Sequence, residues 1–72
     1  MPIVRVEILE GRSVERKQAL IRRITAAVTE TLEVRAEQVR VLLYELPADH
    51  WAVGGQTMAA RQRPAPADET PT

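Results

Sequence analysis

The 72-residue chain has no cysteine and no phenylalanine, and only one each of histidine, tryptophan and tyrosine. Without cysteine there are no disulfides and no thiolate metal ligands. The single histidine, His50, cannot form a zinc site without a cluster of carboxylates around it, and none is evident in the sequence. Tyr44 and Trp51 alone are too few for a base-stacking platform. Charge of one sign is missing too: ten Lys and Arg balance ten Asp and Glu. A nucleic-acid binder would show a basic excess. No apolar run approaches the roughly 18 residues of a membrane span, and the N-terminus lacks a signal-peptide pattern. These features lead us to expect a cytoplasmic protein with no nucleic-acid partner and no membrane partner.

Seventy-two residues make one small domain. A chain of about 60 residues buries only about 60% of the surface it exposes when unfolded. Disulfides, metals and oligomerisation are the usual supplements; composition leaves oligomerisation.

Residues 2–9 read as a strand, with Val4, Val6 and Ile8 on one face and Arg5 and Glu7 on the other. Gly11 breaks the pattern and Ser13 is a helix N-cap, although Arg16 stands where a capping box would place Glu or Gln. Leu20, Ile24, Ala27, Val28 and Thr31, widened by Ile21 and Leu32, form the apolar stripe of an amphipathic helix of about five turns. Residues 38–46 are a second strand, apolar on both faces: Val39, Val41 and Leu43 on one, Leu42, Tyr44 and Leu46 on the other. Strand, helix and strand make a βαβ unit. One helix covers one face of a two-stranded sheet, and with no second helix expected, another subunit is the economical cover for the other. Residues 50–58, centred on Gly54-Gly55, suit a short hairpin. The expected fold is therefore α+β, a βαβ unit with a C-terminal β-hairpin, over residues 1–60. Residues 61–72, rich in Pro and Ala, read as a disordered tail.

The usual nucleophile constellations and glycine-rich phosphate loops are missing, but a proline follows Met1. Removal of Met1 would expose a secondary amine at a sheet edge. Nearby cations and a dry pocket disfavour the protonated form of such an amine and tune it toward general-base work near neutral pH. Pro2 has a plainer reading as the start of an edge strand, where its missing N–H is harmless. Arg40 interrupts an apolar strand, where a charge is costly unless partnered; it either serves an anion or reaches solvent or a carboxylate. Arg12 by itself reads as a surface arginine.

Four segments in register change this balance: Met-Pro-Ile at 1–3, Ile-Leu-Glu-Gly-Arg-Ser at 8–13, Val-Arg-Val at 39–41 and His-Trp-Ala-Val-Gly-Gly at 50–55. With them the sequence resembles the 4-oxalocrotonate tautomerase family over about sixty residues, with no insertion from Pro2 to Gly55. The resemblance implies that Pro2 is the catalytic base. It also implies that Arg12 and Arg40 are catalytic and bind substrate carboxylates and the 2-oxo group. Such roles agree with the bidentate fit of guanidinium to carboxylate and with a fixed cation beside a developing enolate. Trp51 stands where better-known members carry Phe and would line the pocket, plug a subunit interface, or both; Leu9 and Val53 would add apolar wall. His50 reads as structural or exposed.

The resemblance further implies a small 2-hydroxydienoate or unsaturated 2-oxo acid as substrate, of the 2-hydroxymuconate kind. It implies no metal or organic cofactor, and a homohexamer built as a trimer of dimers with sites shared between subunits. Aromatic hydrocarbon catabolism is the expected setting, with a biosynthetic pathway as an alternative. The rival from another class is a non-catalytic oligomeric module on the same scaffold.

Overall fold

A computed structural model describes residues 1–62 of the chain. The Pro-rich tail expected from residue 61 therefore lies outside the described residues from 63 onward. Strand β1 (Ile3–Leu9) leads through Gly11 to helix α1 (Val14–Leu32), then to strand β2 (Arg40–Leu46). Hairpin strands β3 (Ala52–Val53) and β4 (Gln56–Thr57) and a short helix α2 (Met58–Gln62) follow. β1 and β2 pair in parallel, with Ile3 opposite Arg40 and Leu9 opposite Leu46. The βαβ unit and the hairpin are as expected.

The termini of α1 follow from local chemistry. Ser13 is extended, and its hydroxyl accepts the N–H of Arg16 at 3.2 Å, satisfying one of the helix's orphan donors. At the other end Glu33 adopts the left-handed conformation (φ 55°) that ends many helices and that glycine takes at lower cost. The helix lies on the Val4, Val6, Ile8, Val41 and Leu43 face of the sheet. Lys17 secures it there, its Nζ donating to Glu45 Oε1 at 2.8 Å.

Four expectations need correction. β2 begins at Arg40 rather than residue 38, because Ala36–Gln38 form a 3-10 turn in which Val39 N–H donates to the Ala36 carbonyl. The Gln38 side chain accepts the Arg35 N–H and favours that turn over extension. His50 belongs to a second 3-10 turn, Ala48–His50, so the hairpin is shorter than residues 50–58. Met58 instead opens α2, an unexpected helix that takes in Arg61 and Gln62 and is capped where Thr57 Oγ1 accepts the Ala60 N–H. α2 packs on the Ala48–His50 turn and β4. Finally, Ala27, Thr31 and Leu32, read as part of the stripe facing the sheet, are exposed, while Thr25 and Thr29 are half-buried.

The hairpin turn is Gly54-Gly55, flanked by the Val53–Gln56 pair. Both glycines have positive φ (61° and 83°), as a two-residue type I′ turn requires.

None of the described residues is fully buried. On the sheet face away from α1, Ile3 is 64% exposed, Tyr44 45% and Leu42 39%. The Arg5 guanidinium lies over the Tyr44 ring, 5.6 Å from its centroid. A two-layer protomer with one bare apolar face has half of its core still to complete.

Candidate active site

The βαβ topology sends the sequence-predicted site residues to two opposite ends of the sheet. At the N-terminal end the Arg40 N–H donates to the Pro2 carbonyl at 2.9 Å, continuing the β1–β2 ladder by one step. Arg40 is exposed, on the open face with its register partner Ile3, and its Nε donates to Met1 Sδ at 3.1 Å. The guanidinium therefore reaches the residue bonded to the Pro2 nitrogen. Met1 itself is 73% exposed.

At the C-terminal end Arg12 folds back from the loop after β1, and its Nη1 donates to the Leu9 carbonyl at 3.1 Å. Gly11 makes that reversal with φ 126°, a backbone state that side-chain-bearing residues rarely adopt. Trp51 follows the turn that leaves β2 at this same end. It is half-buried, and its carbonyl accepts the Met58 N–H at 2.7 Å, which ties the base of the hairpin. Val53 is 51% exposed on β3, and His50 is exposed.

The structure thus joins Pro2 to Arg40 and Leu9 to Arg12, but it does not join the two pairs. Seven residues of extended chain at about 3.3 Å each separate Pro2 from Leu9 by about 23 Å. That exceeds the length of a small dicarboxylate severalfold.

Among the described residues neither Arg12 nor Arg40 is in an ion pair, so both charges are available to an anion. No group of three or more His, Asp and Glu among those residues is placed to hold a metal. Two features of the neighbourhood were not anticipated from sequence. The Met1–Arg40 contact could have been found from the register, since pairing Ile3 with Arg40 puts Arg40 beside the residues preceding β1. The Lys17–Glu45 pair had no sequence signal, being 28 positions apart.

Residues 2–61 match the family model described as Tautomerase enzyme. The chain belongs to the tautomerase family. Tautomerases are isomerases, and this chain's relatives carry that name. The 2-hydroxymuconate tautomerase of Pseudomonas putida is 41% identical over 63 residues, covering 88% of this chain and all of the relative. Solved structures agree in fold. A 4-oxalocrotonate tautomerase isozyme of Methylibium petroleiphilum is 51% identical, with TM-score 0.81 over 85% of this chain and 95% of the other. TomN, a 4-oxalocrotonate tautomerase homologue in the tomaymycin biosynthetic pathway, is 46% identical, with TM-score 0.82 over 85% and 94%. A heterohexameric 4-oxalocrotonate tautomerase of Chloroflexus aurantiacus J-10-fl is 42% identical, with TM-score 0.77 over 82% and 95%. The tautomerase βαβ unit is thus shared with solved 4-oxalocrotonate tautomerases, one of them a homologue in a biosynthetic pathway.

Proposed function

We propose that this tautomerase moves a proton within a small 2-hydroxydienoate or unsaturated 2-oxo acid of the 2-hydroxymuconate kind, with Pro2 as general base after loss of Met1. The observation that carries this reading is the 3.1 Å contact of Arg40 Nε with Met1 Sδ. The space opened at the Pro2 nitrogen when Met1 leaves is one that a guanidinium already borders. An anion taking the place of Met1 has a base and a cation at hand.

The chemistry is a balanced shuttle. The amine of Pro2 accepts a proton from one atom of the dienol and returns it to a carbon further along the conjugated system. No electrons leave the substrate and no water is consumed. Negative charge that collects on the 2-oxygen in between is met by a fixed guanidinium, a stabilisation greatest where water is excluded. Arg40 holds that role in this reading, and Arg12 binds a carboxylate, with Leu9 and Trp51 as walls.

The separation of about 23 Å between the ends of β1 favours sites assembled from more than one protomer, with Arg12 reaching the Pro2 of a neighbour. The bare sheet face with Ile3, Leu42 and Tyr44 supports the same conclusion. We take the assembly to be a homohexamer and the setting to be cytoplasmic aromatic catabolism. The likeness to TomN favours a second reading, in which the 2-oxo acid belongs to a biosynthetic pathway.

The test is ultraviolet assay of ketonisation with 2-hydroxymuconate and with phenylenolpyruvate. Turnover of the dicarboxylate well above that of the monocarboxylate is expected. Inactivity of correctly processed protein toward both would favour the non-catalytic module instead.

A further inference from the structure

Lys17 and Glu45 are the one ion pair among the described residues, and they meet where the inner rows of helix and strand end. Along α1, Lys17, Ile21, Ile24 and Val28 follow one another at helical spacing and are half-buried. Beneath them Val41, Leu43 and Glu45 alternate on one face of β2. A lysine thus heads the helix row and a glutamate closes the strand row, with Nζ 2.8 Å from Oε1. The two side chains are still 21% and 32% exposed. A bridge so open to water adds little to stability. What it fixes is geometry.

That geometry is the loop carrying Arg12. The Glu10 N–H donates to the carbonyl of Leu46, the residue after Glu45, at 2.9 Å. The Lys17 N–H donates to the Ser13 carbonyl at 3.1 Å, and the Arg16 N–H to the Ser13 hydroxyl at 3.2 Å. Residues 10–13 are therefore held at one end by the neighbour of Glu45 and at the other by Lys17 itself. The ion pair closes this ring. Within it Gly11 turns at φ 126°, and a Cβ there would meet nothing within 4 Å, so no packing supports that turn. Arg12 follows it, exposed, with one side-chain hydrogen bond among the described residues, to the Leu9 carbonyl.

We propose that Lys17 and Glu45 are a positioning pair for Arg12, holding both ends of its loop so that the guanidinium meets the second carboxylate of a dicarboxylate enol. The inference rests on the reading of Arg12 as a carboxylate binder and adds the residues that set its place. Neither side chain contacts substrate, since each is taken up by the other. A guanidinium–carboxylate fork is directional, and misplacing a binding group by about 1 Å can cost up to about a hundredfold. With the bridge broken, the loop keeps its hydrogen bonds but loses the restraint across its mouth. The loss falls on a substrate with a second carboxylate and spares one without it.

Glu45→Gln removes the charge and keeps the shape. It should raise KM for 2-hydroxymuconate about fivefold, the upper range for a half-exposed ion pair, and leave KM for phenylenolpyruvate unchanged. Lys17→Met should do the same, and the double reversal, Lys17→Glu with Glu45→Lys, should recover most of the loss. With Arg12→Ala already in place, Glu45→Gln should have no further effect, a non-additivity that a general loss of stability does not produce. Amide hydrogen exchange needs no turnover: the Glu10 N–H should exchange about fivefold faster in Glu45→Gln. The Met58 N–H, bonded within the hairpin region, should be unchanged. Equal effects on both enols, or additivity with Arg12→Ala, would overturn the positioning role. Unaltered exchange at Glu10 would overturn it whatever the enzyme turns over. Wild-type protein inactive toward both enols, with faster Glu10 exchange in the variant, would strike the carboxylate-binding reading of Arg12 and leave the bridge as the restraint of its loop.

Discussion

Replacing Tyr44 with alanine should impair assembly more than it impairs the fold of a protomer. Tyr44 lies on the bare face of the sheet and is 45% exposed. An aromatic side chain has about 200 Å² of surface to bury, so roughly 90 Å² still awaits a partner. At about 25 cal/mol per Å², covering it contributes about 2 kcal/mol per protomer. That is a change of about thirtyfold in an association constant for each copy buried. Removing the stacked contact with Arg5 adds about 0.5–1 kcal/mol at an exposed site. Arg5→Ala isolates that smaller part. Sedimentation equilibrium over a dilution series should show Tyr44→Ala dissociating at concentrations at least tenfold above wild type, and Arg5→Ala shifting little. Leu43→Ala, on the face under α1, should instead lower the thermal midpoint at every concentration. If Tyr44→Ala assembles like wild type, the open sheet face is not a contact surface and the argument from incomplete burial fails.

Arg40→Ala should lower kcat for a dicarboxylate enol strongly, and Arg12→Ala should lower kcat and raise KM, whereas Arg22→Ala on exposed helix surface should be kinetically silent; wild-type kinetics in both of the first two would refute the clamp. Gly55→Ala should destabilise the hairpin by about 1–2 kcal/mol, since a Cβ at φ 83° is strained even though nothing lies within 4 Å of it; an unchanged chemical-denaturation midpoint would show that the type I′ turn does not matter to stability. Ser13→Ala should cost about 1 kcal/mol through the lost Arg16 N–H cap, lowering the thermal midpoint by several degrees.

Local chemistry made most of the fold legible in the sequence. Alternation in residues 2–9, the Ser13 cap and the Gly54-Gly55 turn each express a short-range rule, and each element stands where that rule put it. The misreadings arose where two rules competed. Val39 alternates correctly for a strand, but the Gln38 side chain holds the preceding backbone in a turn. α2 was hidden behind proximity to the Pro-rich tail, although Thr57 followed by Met58-Ala59-Ala60 is a cap and a good helix former. Ala27 and Thr31 satisfied the helical period yet face outward, because a period fixes a face only to within a flank. For the candidate site, the resemblance nominates Pro2, Arg12 and Arg40 but does not give their separation. Strand length alone would have given it: a parallel βαβ unit must put the residue before β1 and the residue after it at opposite ends.

The central claim is that the Pro2 nitrogen acts as the base, and this requires it to be a free amine. With Met1 attached it is a tertiary amide whose lone pair is delocalised into the carbonyl, and Arg40 Nε donates to the Met1 sulfur. The direct measurement is kcat/KM for 2-hydroxymuconate on two samples defined by intact mass, one lacking Met1 and one retaining it through an uncleavable extension. The account predicts high activity in the first and loss of most activity in the second, with equal folding and assembly. Full activity in a sample shown to retain Met1 would contradict it.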